Sequence, residues 1–241
     1  GFWVSPEFRS GPVGFEMSRH AVEALEATAV STVAPEARRL FEAQGLEPRG
    51  VLFNRLRLLR PGRVLGRVSP DVVASVPAAV RVGVRALQAT RTAGLAGGVL
   101  EGLLRAGAAV RGRPSGGLRT TRGWDDLPDR ALDALWSEFA GSVGGATVRD
   151  GAMVRWRYGD PARYEAVGVW AGERLRGWAV IRVPSRATSG RLQGVSVASL
   201  SDLLFPVDDP AVGCAVVRAA ERVAAALDAD AVLCSGSHPA L

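Results

Sequence analysis

The stretch "VSPEFRSGPVG", residues 4–14, gathers an acid, a cation and several small residues between an apolar strand-like run and a helix-like one. A helix that opens here would aim the amides of Ser10, Gly11, Val13, Gly14 and Phe15 and its own positive end at one spot. Arg9 would add a cation beside them, which is chemistry suited to a phosphate. Pro12 interrupts the set, because it has no N–H and fixes its own φ. An ordinary strand-to-helix turn with glycines for tight geometry uses the same residues. Glu7, at the mouth of the loop, could act as a base. His20, inside the helix-like run, could exchange a proton, although a lone His on a helix face serves packing or solvent as readily.

Three further groups could do chemistry. "WRY", Trp156 to Tyr158, could line an acceptor pocket, or pack in a core with a snorkelling Arg. Asp208 and Asp209 precede a strong helix in "FPVDDPAVGC", where two carboxylates would cap the helix and repel an anion. "SGSH", Ser235 to His238, brings a hydroxyl near an imidazole, but neighbours on a loop rarely share the required geometry and no third orienting group is visible. Cys214 and Cys234 lie in apolar surroundings without a C-x-x-C spacing, which reads as reduced core thiols in a cytoplasmic protein. With only His20 and His238 beside them, no metal site is expected.

The elements that must position these residues alternate. Residues 13–26 read as a helix, with Val13, Met17, His20, Ala21 and Leu25 near one face. "ATAVSTV" reads as a short buried strand. "APEARRLFEAQG" is a helix with Pro35 in its first turn and Gly45 at its end, and "GVLFNRLRLLR" a strand or hairpin half. From residue 118 the reading continues with a strand at "LRTTRG", a helix begun by Asp126 and Pro128, and a shorter helix at "RDGAMVRWRYGD". Two strands then meet at a turn holding Gly172, and another runs through "GRLQGVSVASLSDLLF". A helix capped by Asp209 with Pro210 at its first position follows, and a last strand at "DADAVLCSG". This order predicts an α/β layer.

The 241 residues carry a net charge of +6, and all thirty cations are Arg. Residues 55–122 hold thirteen Arg against Asp71 and Glu101, so the basicity belongs to the middle of the chain. That segment is Ala-, Val-, Leu- and Arg-rich with apolar residues at helical spacing. It predicts two amphipathic helices broken near Gly94–Gly98. They could bridge domains as a linker, or meet a membrane surface or nucleic acid through the arginines. No aromatic residue interrupts the segment to stack on bases, which argues against single-strand binding. No apolar run is long enough for a membrane span, and no signal-peptide pattern is present.

The two ends share one plan. "WVSPEFRSGPVGFEMSRHAVEALEATAVSTVAPEA" and "LLFPVDDPAVGCAVVRAAERVAAALDADAVLCSGSHPA" each run strand, proline, Pro-x-Gly or Pro-x-x-Gly opening, helix, A-x-A-V strand and Pro-Ala, about 200 residues apart. The first stretch, followed by "PEARRLFEAQGLEPRG", resembles the second half of a GCN5-related N-acetyltransferase domain. In that family a strand-end V-x-P-x-x-R-x-x-G-x-G/A cradles the acetyl-coenzyme A pyrophosphate. Residues 118–241 resemble the same fold from its first strand to its fifth. "VRDGAMVRWRYGDPARYEAVGVWAGERLRGWAVIRV" is similar to tandem members that accompany bacterial polysaccharide genes.

The resemblance implies an α/β (α+β) fold of two partial three-layer units, each a mixed sheet flanked by helices. Residues 1–60 would be the C-terminal half of the first unit, 61–117 an amphipathic helical linker, and 118–241 a second unit lacking its last helix and strands. The chain would be truncated at both ends. It implies an acyl-coenzyme A-dependent N-acyltransferase, with acetyl-CoA or another acyl-CoA held by Arg9, Ser10, Gly11, Val13, Gly14 and Phe15, and a small-molecule amine as acceptor. Pro12 stands where the family has its middle glycine. The family's general acid, a tyrosine in A-x-x-x-Y-x-x-x-G, falls on Phe41 between Ala37 and Gly45, and a phenyl ring cannot protonate a thiolate. Glu7 and His20 are the remaining catalytic candidates, and a non-catalytic scaffold or binding protein with the same fold is the alternative.

Overall fold

A computed structural model describes residues 12–24, 35–47, 53–67, 117–143, 146–188 and 192–236, with isolated helical positions at 82, 85, 86, 98, 99 and 102. The strands expected at 2–4 and 27–33, and the break at Gly94–Gly98, lie largely outside the described residues. By contacts the chain divides into two units, Gly1–Asn54 with Ser235–Leu241, and Arg55–Cys234.

The first unit contributes helices α1 (Val13–Ala24) and α2 (Pro35–Ala43). Pro35 occupies the first helical position of α2, where a missing N–H costs nothing. Gly45 adopts φ +82° just past its end, as helix termination requires. Gln44 links the pair: its Nε2 donates to Ser18 Oγ at 2.7 Å and to the Phe15 carbonyl at 3.2 Å. This tie corrects the expected inner face of α1. The buried residue is Ser18, at 2% exposure, whereas Val13, Met17 and His20 point outward.

The second unit is built on a mixed sheet flanked by helices, as the sequence led one to expect. Its strands are β1 (Phe53–Leu58), β2 (Leu118–Arg122), β3 (Tyr164–Ala171), β4 (Arg174–Arg186), β5 (Ser196–Leu204) and β6 (Ala231–Gly236), in the spatial order β1-β6-β5-β4-β3-β2. The pairs β2–β3, β3–β4 and β4–β5 are antiparallel, and β5–β6 is parallel. The helices are α3 (Pro61–Arg67), α4 (Asp129–Ala140), α5 (Gly151–Tyr158) and α6 (Pro210–Ala226). Gly172 supplies the positive φ of the β3–β4 turn.

Alternation along the strands sorts the core into two layers. Val167, Val169, Ala179, Ile181 and Ala198 face α6, whose Val212, Val216, Ala219, Ala220, Val223 and Ala224 recur at helical spacing. Ala166, Trp170, Trp178, Val180 and Leu204 face Leu132 and Leu135 of α4 and Val154 and Tyr158 of α5. Gly177 sets the approach of α6. A Cβ there would come within 2.7 Å of Val216 Cγ2 and 3.0 Å of the Leu204 carbonyl, so the helix sits as close to β4 as backbone allows.

Two expectations need correction. Pro128 is the N-cap residue of α4 with no side-chain cap, so Asp126 does not start that helix; it stays exposed. Cys214 is exposed, because the inward stripe of α6 passes through residues 212, 216, 219 and 223 and leaves 214 on the solvent side. Cys234 is half-buried, and burial pushes its thiol pKa up against the opposing pull of Arg55.

A buried carboxylate joins α3 to the start of the parallel pair. Asp230 has no exposed surface, and its Oδ2 accepts from Arg67 Nη1 at 2.7 Å and from the Ser196 amide at 3.0 Å. Its carbonyl accepts from the amides of Leu59 and Arg60 at 2.9 and 3.0 Å. Breaking a buried ion pair usually costs about 3–5 kcal/mol. Arg67 keeps 38% of its side chain in water, which discounts that figure. Asp230→Ala is therefore expected to lower unfolding stability by about 2–3 kcal/mol in a urea titration. Arg38→Ala, which removes only an exposed helix pair with Glu42, should change it by less than about 0.5 kcal/mol.

Candidate functional site

The phosphate-loop candidates divide between described and undescribed residues. Glu7, Arg9, Ser10 and Gly11 lie outside the described residues. Val13, Gly14 and Phe15 form the first turn of α1, immediately after Pro12, whose carbonyl accepts the first helical bond from Glu16 N at 2.9 Å. The three amides of that turn have no partner inside the helix, and the positive end of α1 is directed with them. The Phe15 carbonyl is held from behind by Ser18 Oγ at 2.9 Å and by Gln44.

His20 is exposed near the middle of α1. At seven residues from Val13 it stands about 10 Å along the axis from the first turn, so it does not join an anion held there. Phe41 is half-buried in α2, and its carbonyl accepts from the amides of Gln44 and Leu46, both at 3.1 Å. Its ring has no proton to give.

In the second unit the corresponding junction lies between β5 and α6. The parallel ladder runs from Val197↔Ala231 to Leu200↔Cys234, while β5 continues to Leu204. The β4–β5 register steps from Val180↔Asp202 to Ile181↔Leu200, which leaves Ser201 as an extra residue. The bulge coincides with the point where the ladder to β6 ends. Past it, one edge of β5 has no strand partner among the described residues, and free strand-edge groups can pair with an extended amide chain.

The N-terminus of α6 is already filled by a carboxylate of the chain itself. Asp209 Oδ1 accepts from Val212 N at 3.1 Å, as the sequence predicted for a cap. Its Oδ2 accepts from Arg176 Nη2 at 3.3 Å. Arg176 is the extra residue where the β3–β4 register steps from Val169↔Gly177 to Trp170↔Leu175, so the bulge and the cap are one arrangement. An incoming phosphate would have to displace Asp209 and meet the exposed Asp208 as well.

The "WRY" segment separates into opposite environments. Trp156 is 80% exposed, while Tyr158 is 6% exposed with the Arg157 guanidinium 5.5 Å from its ring centroid. The Tyr158 hydroxyl donates to Asp202 Oδ2 at 3.4 Å. Asp202 also accepts from Arg149 Nε at 3.0 and 3.2 Å and from the Leu203 amide at 2.9 Å. This half-buried carboxylate, with three kinds of donor around it, was missed in the sequence. Its signal there is a lone acid in a strand of serines and apolar residues, with an Arg just before a capped helix. Ser235 Oγ donates to Asn54 Oδ1 at 2.6 Å, and His238 lies outside the described residues. Among the described residues no group of His, Cys, Asp and Glu could hold a metal ion, and no helix is long and apolar enough to cross a membrane.

No protein-family model matches the chain in sequence, and no curated protein does. Solved structures do match it in fold. A GCN5-related N-acetyltransferase from Anabaena variabilis superposes with a TM-score of 0.52 at 12% identity, over 98% of this chain and 46% of its own. This chain therefore spans about half the length of that protein. An aminoglycoside acetyltransferase from an uncultured soil metagenomic sample aligns over 52% of this chain and 80% of its own, with a TM-score of 0.39 at 12% identity. A ribosomal-protein-alanine N-acetyltransferase from Brucella melitensis biovar Abortus aligns over 48% of this chain and 78% of its own, with a TM-score of 0.36 at 11% identity. The Anabaena match carries the fold assignment; the two lower scores add nothing to it.

The Tyr158 environment is open to direct titration. Burial first, and then the Asp202 charge, push its hydroxyl pKa up to about 12, against about 10 for an unfolded phenol. The stabilisation is complete below about pH 10 and is lost as pH rises through about 12. Ultraviolet absorbance should show a tyrosine ionising late, and Tyr158→Phe should remove that late transition. A wild-type protein whose two tyrosines both ionise near pH 10 would contradict the buried hydroxyl–carboxylate contact.

Proposed function

We propose that this chain is part of an acyl-coenzyme A-dependent N-acyltransferase, in which the first unit binds the cofactor and the second keeps the fold without binding it. The organisation proposed is the one read from sequence: 1–60 as the end of one acetyltransferase-like domain, 61–117 as a helical linker, and 118–241 as a second such domain. The observation that carries the reading is the fold correspondence with an N-acetyltransferase over nearly the whole chain.

In the proposed site the coenzyme A pyrophosphate rests on the amides of Ser10, Gly11, Val13, Gly14 and Phe15, with Arg9 beside it. Acyl-coenzyme A supplies the activated thioester. With acyl-coenzyme A bound, the acceptor, a small-molecule or amino-sugar amine, would attack the thioester carbon and the C–S bond would break. The amine nitrogen loses one proton and the departing sulfur gains one. Phe41 takes no part in that exchange. Glu7 and His20 are the two candidates to accept the amine proton, and His20 projects from a later turn of α1. Water serves as the acid for the thiolate, and positioning carries most of the rate.

Two observations favour the scaffold alternative: Asp209, braced by Arg176, fills the anion position of α6, and Phe41 removes the usual acid from the first unit. The two readings diverge in titration calorimetry of the protein with acetyl-coenzyme A. The transferase reading expects saturable binding that Gly14→Asp weakens by at least about tenfold, since it sets bulk and negative charge among the loop amides. Absence of heat at millimolar cofactor would leave the scaffold.

The arginines of the middle segment are proposed to serve helix packing, not nucleic acid. Fluorescence anisotropy with a labelled duplex should then show weak binding that vanishes by physiological salt. A genuine binder contacting six or more phosphates would lose roughly a thousandfold in affinity between about 50 and about 200 mM salt and stay measurable. Sub-micromolar binding at physiological salt would make the basic segment the functional centre.

A further inference from the structure

A cavity of about 240 Å³ lies beside the C-terminal half of α6, away from the β5–α6 junction. Buried Val167, Ala219 and Val223 form its floor, and Thr120, Arg122 and Arg222 stand at its exposed rim. The volume is below the roughly 300–1,000 Å³ of sites for drug-sized ligands, so only a small molecule fits.

The charges at the rim are not equivalent. Arg122 is neutralised by Glu165, with Nη2 to Oε2 at 3.1 Å. Arg222 has no carboxylate partner among the described residues; its Nη2 donates weakly to Thr120 Oγ1 at 3.4 Å. Its neighbour in sequence, Glu221, pairs with Arg57 instead. A guanidinium without a carboxylate among the described residues, the Thr120 hydroxyl and an aliphatic floor therefore share a single concavity, while the second lining hydroxyl, that of Thr121, already accepts from Trp170 Nε1 at 3.0 Å. A guanidinium fork matches a carboxylate in two parallel hydrogen bonds. The floor rewards a short hydrocarbon, at about 0.8 kcal/mol per buried methylene.

The negative end of α6 lies at Ala226, one turn beyond Arg222, and disfavours an anion there. Arg60 Nη2 takes up one terminal carbonyl, that of Ala225, at 3.2 Å. The ligand is thereby oriented, with its carboxylate at Arg222 and Thr120 and its hydrocarbon over Val223 towards Ala226. We propose that this cavity is a binding site for a short aliphatic monocarboxylate, separate from the acyl-coenzyme A site.

Amide chemical shifts of the full chain, followed during titration with butyrate, test this directly. Saturable shifts at millimolar butyrate are expected at Thr120, Ala219 and Val223. Arg222→Gln should weaken them by at least about tenfold, and Thr120→Val by a few fold, with both spectra otherwise those of a folded protein. 1-Butanol, which lacks the charge, and inorganic phosphate, which lacks the hydrocarbon, should each bind at least about tenfold more weakly. Any one of three results overturns the proposal: no saturable shift up to tens of millimolar, unchanged affinity in both variants, or equal binding of butanol or phosphate.

Discussion

Asp230 is a fully buried acid, and the second unit is arranged around it: Oδ2 takes the hydrogen bonds, while Oδ1 has none and faces only the Arg63 guanidinium at 3.7 Å. Its amide donates to the Ser196 carbonyl at 2.7 Å while its side chain accepts from the Ser196 amide, so the two residues grip each other at the start of β5 and β6. Its carbonyl receives two amides from the turn between β1 and α3, and its carboxylate receives Arg67. Next to it Asp228, at φ +65°, takes Arg60 and Arg63. These arginines, with Arg67, form one stripe on and just before α3. Asp228 is held below the usual carboxylate range, chiefly by its hydrogen bond from Arg60. An apolar residue in place of Asp230 would leave Arg67 and the Ser196 amide without their acceptor at the point where the parallel register is set.

From that anchored start the sheet loses regularity in a directed way. Ser201 is inserted in β5 where its ladder to β6 stops, and Arg176 is inserted in β4 opposite the end of β3. The first insertion releases a strand edge; the second sends a cation to the cap of α6. Gly177 beside Arg176 lets α6 sit against the sheet, and Gly213 lets Phe205 lie within 2.6 Å of where a Cβ would be. The consequence for function is a junction with the right strand geometry for an extended ligand and the wrong electrostatics for a phosphate.

Much of this was legible in residue types. Turn and cap chemistry placed most of the described helices and strands within a few positions, because Pro35, Gly45, Gly172, Asp209 and Pro210 each permit few backbone choices. Face assignments were less legible where a polar residue is buried by a partner distant in sequence. Ser18 goes inward because Gln44 meets it, and no spacing in α1 announces that. Asp230 and Asp202 carry the same lesson, since each finds its arginine 163 or 53 residues away. The bulges were invisible for another reason: an extra residue in a strand changes register without changing composition. The loop before α1 was legible as a motif; Val13, Gly14 and Phe15 form the first turn of that helix, and Arg9 lies outside the described residues.

The order of strands has a consequence for how the chain becomes a folded object during synthesis. β1 and α3 belong beside β6, and the ion pair between Arg60 and Asp228 closes over 168 residues. At roughly 5–20 residues per second, a ribosome needs on the order of ten seconds or more to deliver the second half of that contact. Through that interval the short strand and its arginine stripe wait without their acids, while β2 to β5 can already assemble from neighbouring hairpins. The long closure comes last, and it is slow for the entropic reason that all distant contacts are slow.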